Sequence, residues 1–391
     1  MLTESGAAVA NQSGLWPTFL CDTWHMQFPM IDVLRAVAAL LVMVYHVTAL
    51  GQWGRFSEAV WGLPFRQGWI GVDLFLVISG FVITLSAAKA QARDPTGFKW
   101  AFMQRRLRRL LPLYVLTCVI FVLLVRPEIL SRPYSQFWMQ VISHALFLQN
   151  LTPYTHGVIN GVTWSLALEM QFYVALVLSV GWLVRLGAGK TLLMLTAIAW
   201  VWRYGTTWVL PPGQAIPHLQ VIYTTQLPGT LDEFGVGIAL ALVVQNSKHR
   251  LAPLLARRWR NCLGWLVASA LCLTAAGAIF LPRGNYWSYF GMVVFWRTLL
   301  AIGFGAALAA MISCPLQSSG VLRPWRYLGT ISYGLYLWHF PVLISLLTLP
   351  GPRGGRLFVV LLSASVVLAS LSWHLMEKNW IDQRHGSKAD G

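Results

Sequence analysis

Apolar runs of about 20 residues recur along the chain from residue 31 to residue 377, separated by short polar breaks. Twenty residues of α-helix rise about 30 Å, the thickness of a bilayer's hydrocarbon core. The runs place spans near 31–50, 69–88, 110–126, 163–184, 191–210, 229–246, 263–281, 289–313, 327–347 and 357–377. They predict an all-α, polytopic integral membrane protein with about ten transmembrane helices. Helix breakers mark the connections, as in "RDPTG" at 93–97, "LPPGQ" at 210–214, "LPRGN" at 281–285 and "LPGPRGG" at 349–355. The stretch 137–151, "FWMQVISHALFLQNL", is apolar but too short to span. Counting it as a span would invert every later loop, so an additional short interfacial or re-entrant helix is expected there. No internal repeat stands out, which disfavours the inverted-repeat transporter folds. The expected organisation is a tail over 1–30, a single transmembrane domain over 31–378 and a tail over 379–391. No second soluble domain is expected. Nor is a removable signal peptide, because residues 1–30 carry no Lys or Arg and no small-residue cleavage site before an apolar core.

Composition supports that class and changes one point. Of the 391 residues, 57% are hydrophobic and 11% charged, which excludes an ordinary soluble domain. The formal net charge of +16 suggests nucleic acid until its distribution is read. Loops on one side hold nineteen Lys and Arg, those on the other hold seven. That asymmetry is a positive-inside signal: it predicts both termini in the cytoplasm and removes nucleic acid as a partner. The five cysteines (Cys21, Cys118, Cys262, Cys272 and Cys314) show no metal or disulfide spacing, so core thiols and no metal are expected.

Ionisable groups within the spans are functional candidates, because each costs several kcal/mol to hold there. In "IDVLRAVAALLVMVYHV" (31–47), Arg35 and His46 stand eleven residues apart. Eleven steps of 100° close within about 20° of three turns, so the two share a face roughly 16 Å apart along the axis. The bland alternative is an arginine reaching for headgroups and a histidine capping a carbonyl. "WIGVDLFLVISGFVIT" (69–84) brings Asp73 near its outer end and Ser79-Gly80 at mid-membrane, a pair equally suited to close helix packing. "KWAFMQRRLRRLLPLY" (99–114) sets Arg105, Arg106, Arg108 and Arg109 at the inner mouth of the third span. Spacings of three and four put Arg105, Arg108 and Arg109 on one face with Arg106 close by, forming an anion site or a plain headgroup anchor. "NGVTWSLALEMQFYV" (160–174) carries Trp164 and, two turns into the span, Glu169, a lone carboxylate that needs a partner. "YLGTISYGLYLWHFPVL" (327–343) carries Tyr336 and His339, with Pro341 following. Arg203, Asp232, Glu233, Arg297, His374 and Glu377 lie nearer span ends and are read as anchors or ion pairs. Arginines inside, with acid/base groups about a coenzyme's length outward, suit acyl-coenzyme A with its phosphates at the arginines.

The same blocks, "LRAVAALLVMVYHV", "GVDLFLVISGFVIT", "RRLRRLLPLY", "VTWSLALEMQFYV" and "ISYGLYLWHFPVL", resemble in order and spacing those of acyltransferase family 3 over about residues 31–378. These are bacterial inner-membrane proteins that O-acylate surface and secreted glycans. The resemblance implies a ten-span fold, acetyl-CoA as donor, a carbohydrate acceptor beyond the membrane, and Arg35, His46, Arg105, Arg106, Glu169 and His339 as functional positions. One departure is "HLMEKNW", where Asn379 stands in place of the family's usual proline. Many members carry a further esterase-like domain, which is not expected here. On this reading His46 is the base or a transient acyl carrier, Glu169 its carboxylate neighbour, and Arg35 with Arg105, Arg106, Arg108 and Arg109 the phosphate clamp. Ser79 is a weaker nucleophile candidate because it lacks an elbow context. The rival reading is a transporter or flippase of an anionic glycolipid or sugar.

Overall fold

The computed structural model describes residues 28–51, 53, 62–211, 217–246, 248–283, 286–317, 319–351 and 353–378. The expected terminal tails, Cys21 and Asn379 lie outside the described residues, apart from the short stretch 28–30.

Each of the ten apolar runs forms a helix. In chain order these are α1 (Ile31–Leu50), α2 (Ile70–Arg93), α3 (Phe98–Ile120), α5 (Trp164–Leu186), α6 (Ala188–Val209), α7 (Leu231–Gln245), α8 (Trp259–Phe280), α9 (Arg297–Ser313), α11 (Ser332–Thr348) and α12 (Gly354–Ser372); among the shorter helices between them are α4 (Tyr134–Ala145) and α10 (Arg323–Thr330). Among the described residues there is no strand. Eight helical stretches are long and apolar enough to cross a membrane by themselves, and α10 with α11 forms a ninth, bent by 58°. In the tenth, α6, apolarity is diluted by Arg203, which lies fully buried. The chain is an all-α, multi-pass membrane protein.

The doubtful stretch near 137–151 resolves as α4, whose 12 residues rise only about 18 Å. It cannot span. The irregular chain that follows, up to Thr163, is tied down from inside. Gln149 donates to Tyr114 Oη (3.2 Å) and to the Thr163 carbonyl (3.1 Å), and Asn160 to the Leu337 carbonyl (3.1 Å). Both amides are fully buried. Non-helical backbone is tolerated at membrane depth only with such partners.

The centre of the bundle is α2, packed against α1, α5, α7 and α9. Its crossing with α7 depends on two glycines. A Cβ on Gly80 would lie 2.3 Å from the Phe234 carbonyl oxygen, and one on Gly237 2.1 Å from that of Val77. Small residues are what let membrane helices approach so closely.

The same helices are joined by buried ion pairs. Arg297 on α9 bonds Asp73 on α2 (2.6 Å) and reaches Glu233 on α7 (3.5 Å). Arg203 on α6 pairs with Asp232 on α7, which also accepts from the Thr298 hydroxyl (2.5 Å). Arg203, Asp232, Glu233 and Arg297 are thus ion pairs, as read from the sequence. Asp73 joins them: its place near the end of α2 suggested acid/base chemistry, but its carboxylate belongs to Arg297. The four described cysteines are free thiols.

Breaking one of these pairs strands a charge in a dry interior. Arg203→Met leaves Asp232 with only hydrogen-bond donors and is expected to cost about 3–5 kcal/mol. The double change Arg203→Met with Asp232→Leu should recover most of it. Unfolding of the protein in detergent micelles measures both.

Candidate functional site

Helices α1 and α11 pack side by side and bring His46 and His339 into contact, with His339 Nε2 3.2 Å from His46 Nδ1. His46 Nδ1 also lies 2.9 Å from the Val42 carbonyl, and His339 Nδ1 3.2 Å from that of Leu335. Carbonyls only accept, so the arrangement satisfying every contact puts a proton on Nδ1 of both rings. His46 Nδ1–H is then shared between Val42 O and His339 Nε2, and His46 Nε2 keeps its lone pair. That nitrogen belongs to a ring lining a chamber of about 390 Å³, together with Trp69, Trp164, Trp287 and Tyr336.

A second cavity, of about 100 Å³, is lined by Arg35, Arg106, Arg109, Ser79, Glu169 and Tyr333, among others. The arginine cluster therefore divides. Arg106 is buried, donates to Ser86 Oγ (2.9 Å) and lies over the Phe102 ring; Arg109, one turn on, shares its face. Arg105 and Arg108 turn away from this cavity, and Arg108 is exposed. The grouping of Arg105 with Arg108 and Arg109 on a single functional face is corrected. Spacing fixes which residues share a face but not which face is buried, and the buried stripe here is Phe102, Arg106, Leu110 and Leu113.

The expected pairing of Glu169 with His46 is also corrected. Glu169 accepts from the Ser79 hydroxyl (3.2 Å) and from Tyr173, both inside the arginine-lined cavity. One turn earlier on α5, Ser165 hydrogen-bonds Tyr336 Oη (2.6 Å), and Tyr336 also donates to the Val162 carbonyl (3.1 Å). That layer stands between the carboxylate and the histidines. Only Val72 and Tyr336 line both chambers, so they form the partition between them.

Some site residues escaped the sequence reading. Glu377, read as an anchor, is buried within electrostatic reach of Arg109 and Arg35. Tyr333 donates to the Leu110 carbonyl (2.7 Å) and lines the arginine-lined cavity. Tyr333 did not escape that reading: the sequence sets Tyr333, Tyr336 and His339 at i, i+3 and i+6, along one side of the same helix. At the rim of the tryptophan-lined chamber, His156 lies flat against Trp164 (5.6 Å between centroids) and 5.7 Å from the His218 ring. Among the described residues no group of three or more His, Cys, Asp or Glu converges as a metal site.

Comparison with known proteins bears on this arrangement. The family model described as "Acyltransferase domain" matches residues 28–374. The chain belongs to this acyltransferase family. It is 30% identical over 379 residues to the putative peptidoglycan O-acetyltransferase YrhL of Bacillus subtilis, covering 90% of this chain and 55% of the relative. It is 28% identical over 375 residues to the peptidoglycan O-acetyltransferase OatA of Listeria monocytogenes, covering 89% and 55%. The O-acetyltransferase OatA of Staphylococcus aureus is 24% identical over 363 residues, covering 89% and 56%. The chain spans about half the length of the curated relatives it matches. No solved structure matches it significantly.

Within this acyltransferase chain the His156 imidazole, which lies outside the spans, is held down to about 4 by burial, with the neighbouring His218 adding to the effect. A base whose folded pKa is depressed contributes stability above its ordinary value of 6.5 and loses it as pH falls through 6.5 toward 4. Stability of the wild type is therefore expected to fall over that window. His156→Gln should remove about 2–3 kcal/mol of the fall. Melting temperatures recorded from pH 7.5 to pH 4 provide the check.

Proposed function

We propose that this protein transfers an acetyl group from cytoplasmic acetyl-CoA to a hydroxyl of a cell-wall glycan across the bacterial inner membrane, with both termini in the cytoplasm. The observation that carries the reading is that α1 bears Arg35 in an arginine-lined cavity and, three turns on, His46 in a second chamber. The relatives' printed activity, O-acetyl transfer to peptidoglycan, supports the acceptor class, and the excess of basic residues in one set of loops supports the orientation.

In this reading Arg35, Arg106 and Arg109 hold the phosphates of the coenzyme. Guanidinium forks match phosphate oxygens, and three converging in one cavity balance the charge of a polyanion. The pantetheine arm runs past Ser79 and Glu169 toward the Val72–Tyr336 partition, delivering the thioester to His46. His46 Nε2 takes the proton from the acceptor hydroxyl as its oxygen attacks the thioester carbon. The tetrahedral intermediate collapses with cleavage of the C–S bond, and the thiolate leaves with the proton returned from His46. His339 is a positioning residue: its Nε2 holds the His46 Nδ1–H and keeps the base lone pair directed into the chamber.

Inside-out vesicles supplied with radiolabelled acetyl-CoA test the scheme. His46→Ala should lower label transfer to wall glycan about a hundredfold or more, whereas His339→Ala, which loosens the base without removing it, should cost less. A His46→Ala protein that turns over near the wild-type rate would sink the reading.

The arginines make a separable contribution. Arg106→Gln removes a charged clamp from ground and transition states alike, so the KM for acetyl-CoA should rise about tenfold or more with kcat little changed. A fall in kcat at unchanged KM would place Arg106 at the chemistry rather than the phosphates.

A further inference from the structure

The chamber on the His46 side has a lining unlike that of the arginine cavity. Three indoles face it, Trp69, Trp164 and Trp287, none of them fully buried. Tryptophans in a membrane protein commonly sit at the lipid interface as anchors, but these three converge on an internal space. Two of them are also held in place. The Trp69 indole N–H donates to Gln67 Oε1 (2.7 Å) while the Arg297 guanidinium lies 5.1 Å from its ring centroid. Trp164 is stacked on His156. A rigid indole face offers large contact area at little conformational cost, and it complements an apolar C–H surface presented flat against it.

Charge narrows the occupant. The two ionised side chains lining this chamber, Asp73 and Arg297, are bonded to each other, and Arg297 is further shared with Glu233. The buried network behind it sets three carboxylates (Asp73, Asp232 and Glu233) against two guanidiniums (Arg203 and Arg297). No guanidinium is left over there to meet an anion, in contrast to the three that line the donor cavity.

We infer that this chamber is a binding site for an uncharged pyranose segment of a glycan, stacked on Trp69, Trp164 and Trp287 with one hydroxyl presented to His46. The C–H faces of a β-linked pyranose supply the surface the indoles complement, and its polar substituents, hydroxyl and acetamido alike, are uncharged and ask only for hydrogen-bond partners or water. A uronate-bearing chain would instead bring a carboxylate to a chamber whose one guanidinium, that of Arg297, is already bonded to Asp73 and shared with Glu233. The identification of the occupant as an acceptor rests on the acyl-transfer reading; the binding of a neutral sugar does not.

Saturation-transfer difference NMR on the full chain in detergent, without acetyl-CoA, separates the two. The probes are chitotetraose, a neutral β-linked N-acetylglucosamine oligomer, and tetragalacturonate, its anionic counterpart in length. Chitotetraose should receive saturation on its ring C–H protons, and tetragalacturonate at least fivefold less. Trp69→Ala and Trp164→Ala should each reduce the chitotetraose signal at least fivefold, while Trp69→Phe retains most of it. Trp287→Ala, outside the ion-pair network, gives the same test should Trp69→Ala fail to fold. Absence of transfer to chitotetraose in the wild type, equal transfer to both sugars, or a signal indifferent to the indoles would each overturn the inference. Acetyl transfer measured on the same preparation judges the other claim. Sugar bound on the indoles but never acetylated removes the acyl-transfer reading and leaves the site standing. Acetylation that ignores the indoles does the reverse.

Discussion

Every charge this bundle buries needs a partner within it, because the hydrocarbon core offers none, and that requirement organises the rest of the structure. Arg203 and Arg297 are long, permanently charged and almost wholly enclosed, so α2, α6, α7 and α9 must bring carboxylates and the Thr298 hydroxyl to them. The approach is possible because Gly80 and Gly237 let α2 and α7 nearly touch. Replacing such a network by apolar side chains of similar volume is often neutral for stability, so its value lies elsewhere. Here it fixes Trp69 through Arg297 and sets the wall of one chamber.

The same requirement explains why His46 is backed by a histidine. A carboxylate behind His46 would add one more unpaired charge to the dry interior. The His339 imidazole is neutral and still offers a lone pair to Nδ1–H, while its own Nδ1–H is directed to the Leu335 carbonyl. When His46 gains a proton, the bond to His339 becomes charge-assisted and strengthens. The pair thus holds a tautomer in the ground state and supports the cation only when it forms. Glu169 is kept in the other cavity, where Arg35, Arg106 and Arg109 supply positive charge and Ser79 and Tyr173 supply donors.

Much of this was legible in the sequence. Ten apolar runs gave ten helices because bilayer length and helical rise leave little freedom. The Arg35–His46 spacing placed the two residues on one face of α1, and they do line the two chambers. Contacts between helices were not legible: periodicity states which residues share a face, never which helix that face meets. For that reason Glu169 was paired with the wrong residue, Asp73 was read as an acid, and the arginine cluster was taken whole. The interhelical bonds that decide these cases are set by crossings at Gly80 and Gly237 and by an irregular stretch, 146–163, with no periodicity to read.

The partition between the chambers also bears on transport versus catalysis. A transporter needs one substrate to pass from end to end, so its pathway carries compatible chemistry throughout. Here the lining changes at Val72 and Tyr336, from guanidiniums on one side to indoles on the other. The change suits two ligands of opposite character that meet at their tips. Tyr336 is held there by Ser165 and Val162, so with Val72 it forms a fixed part of the wall that the two chambers share. If a thioester reached that partition, as the proposed reading requires, keeping water from it would favour transfer to a sugar hydroxyl over hydrolysis. Under the proposed reading, separation of the chambers is part of the chemistry: His46 would stand on the acceptor's side, and the charged end of the donor would never have to leave its own.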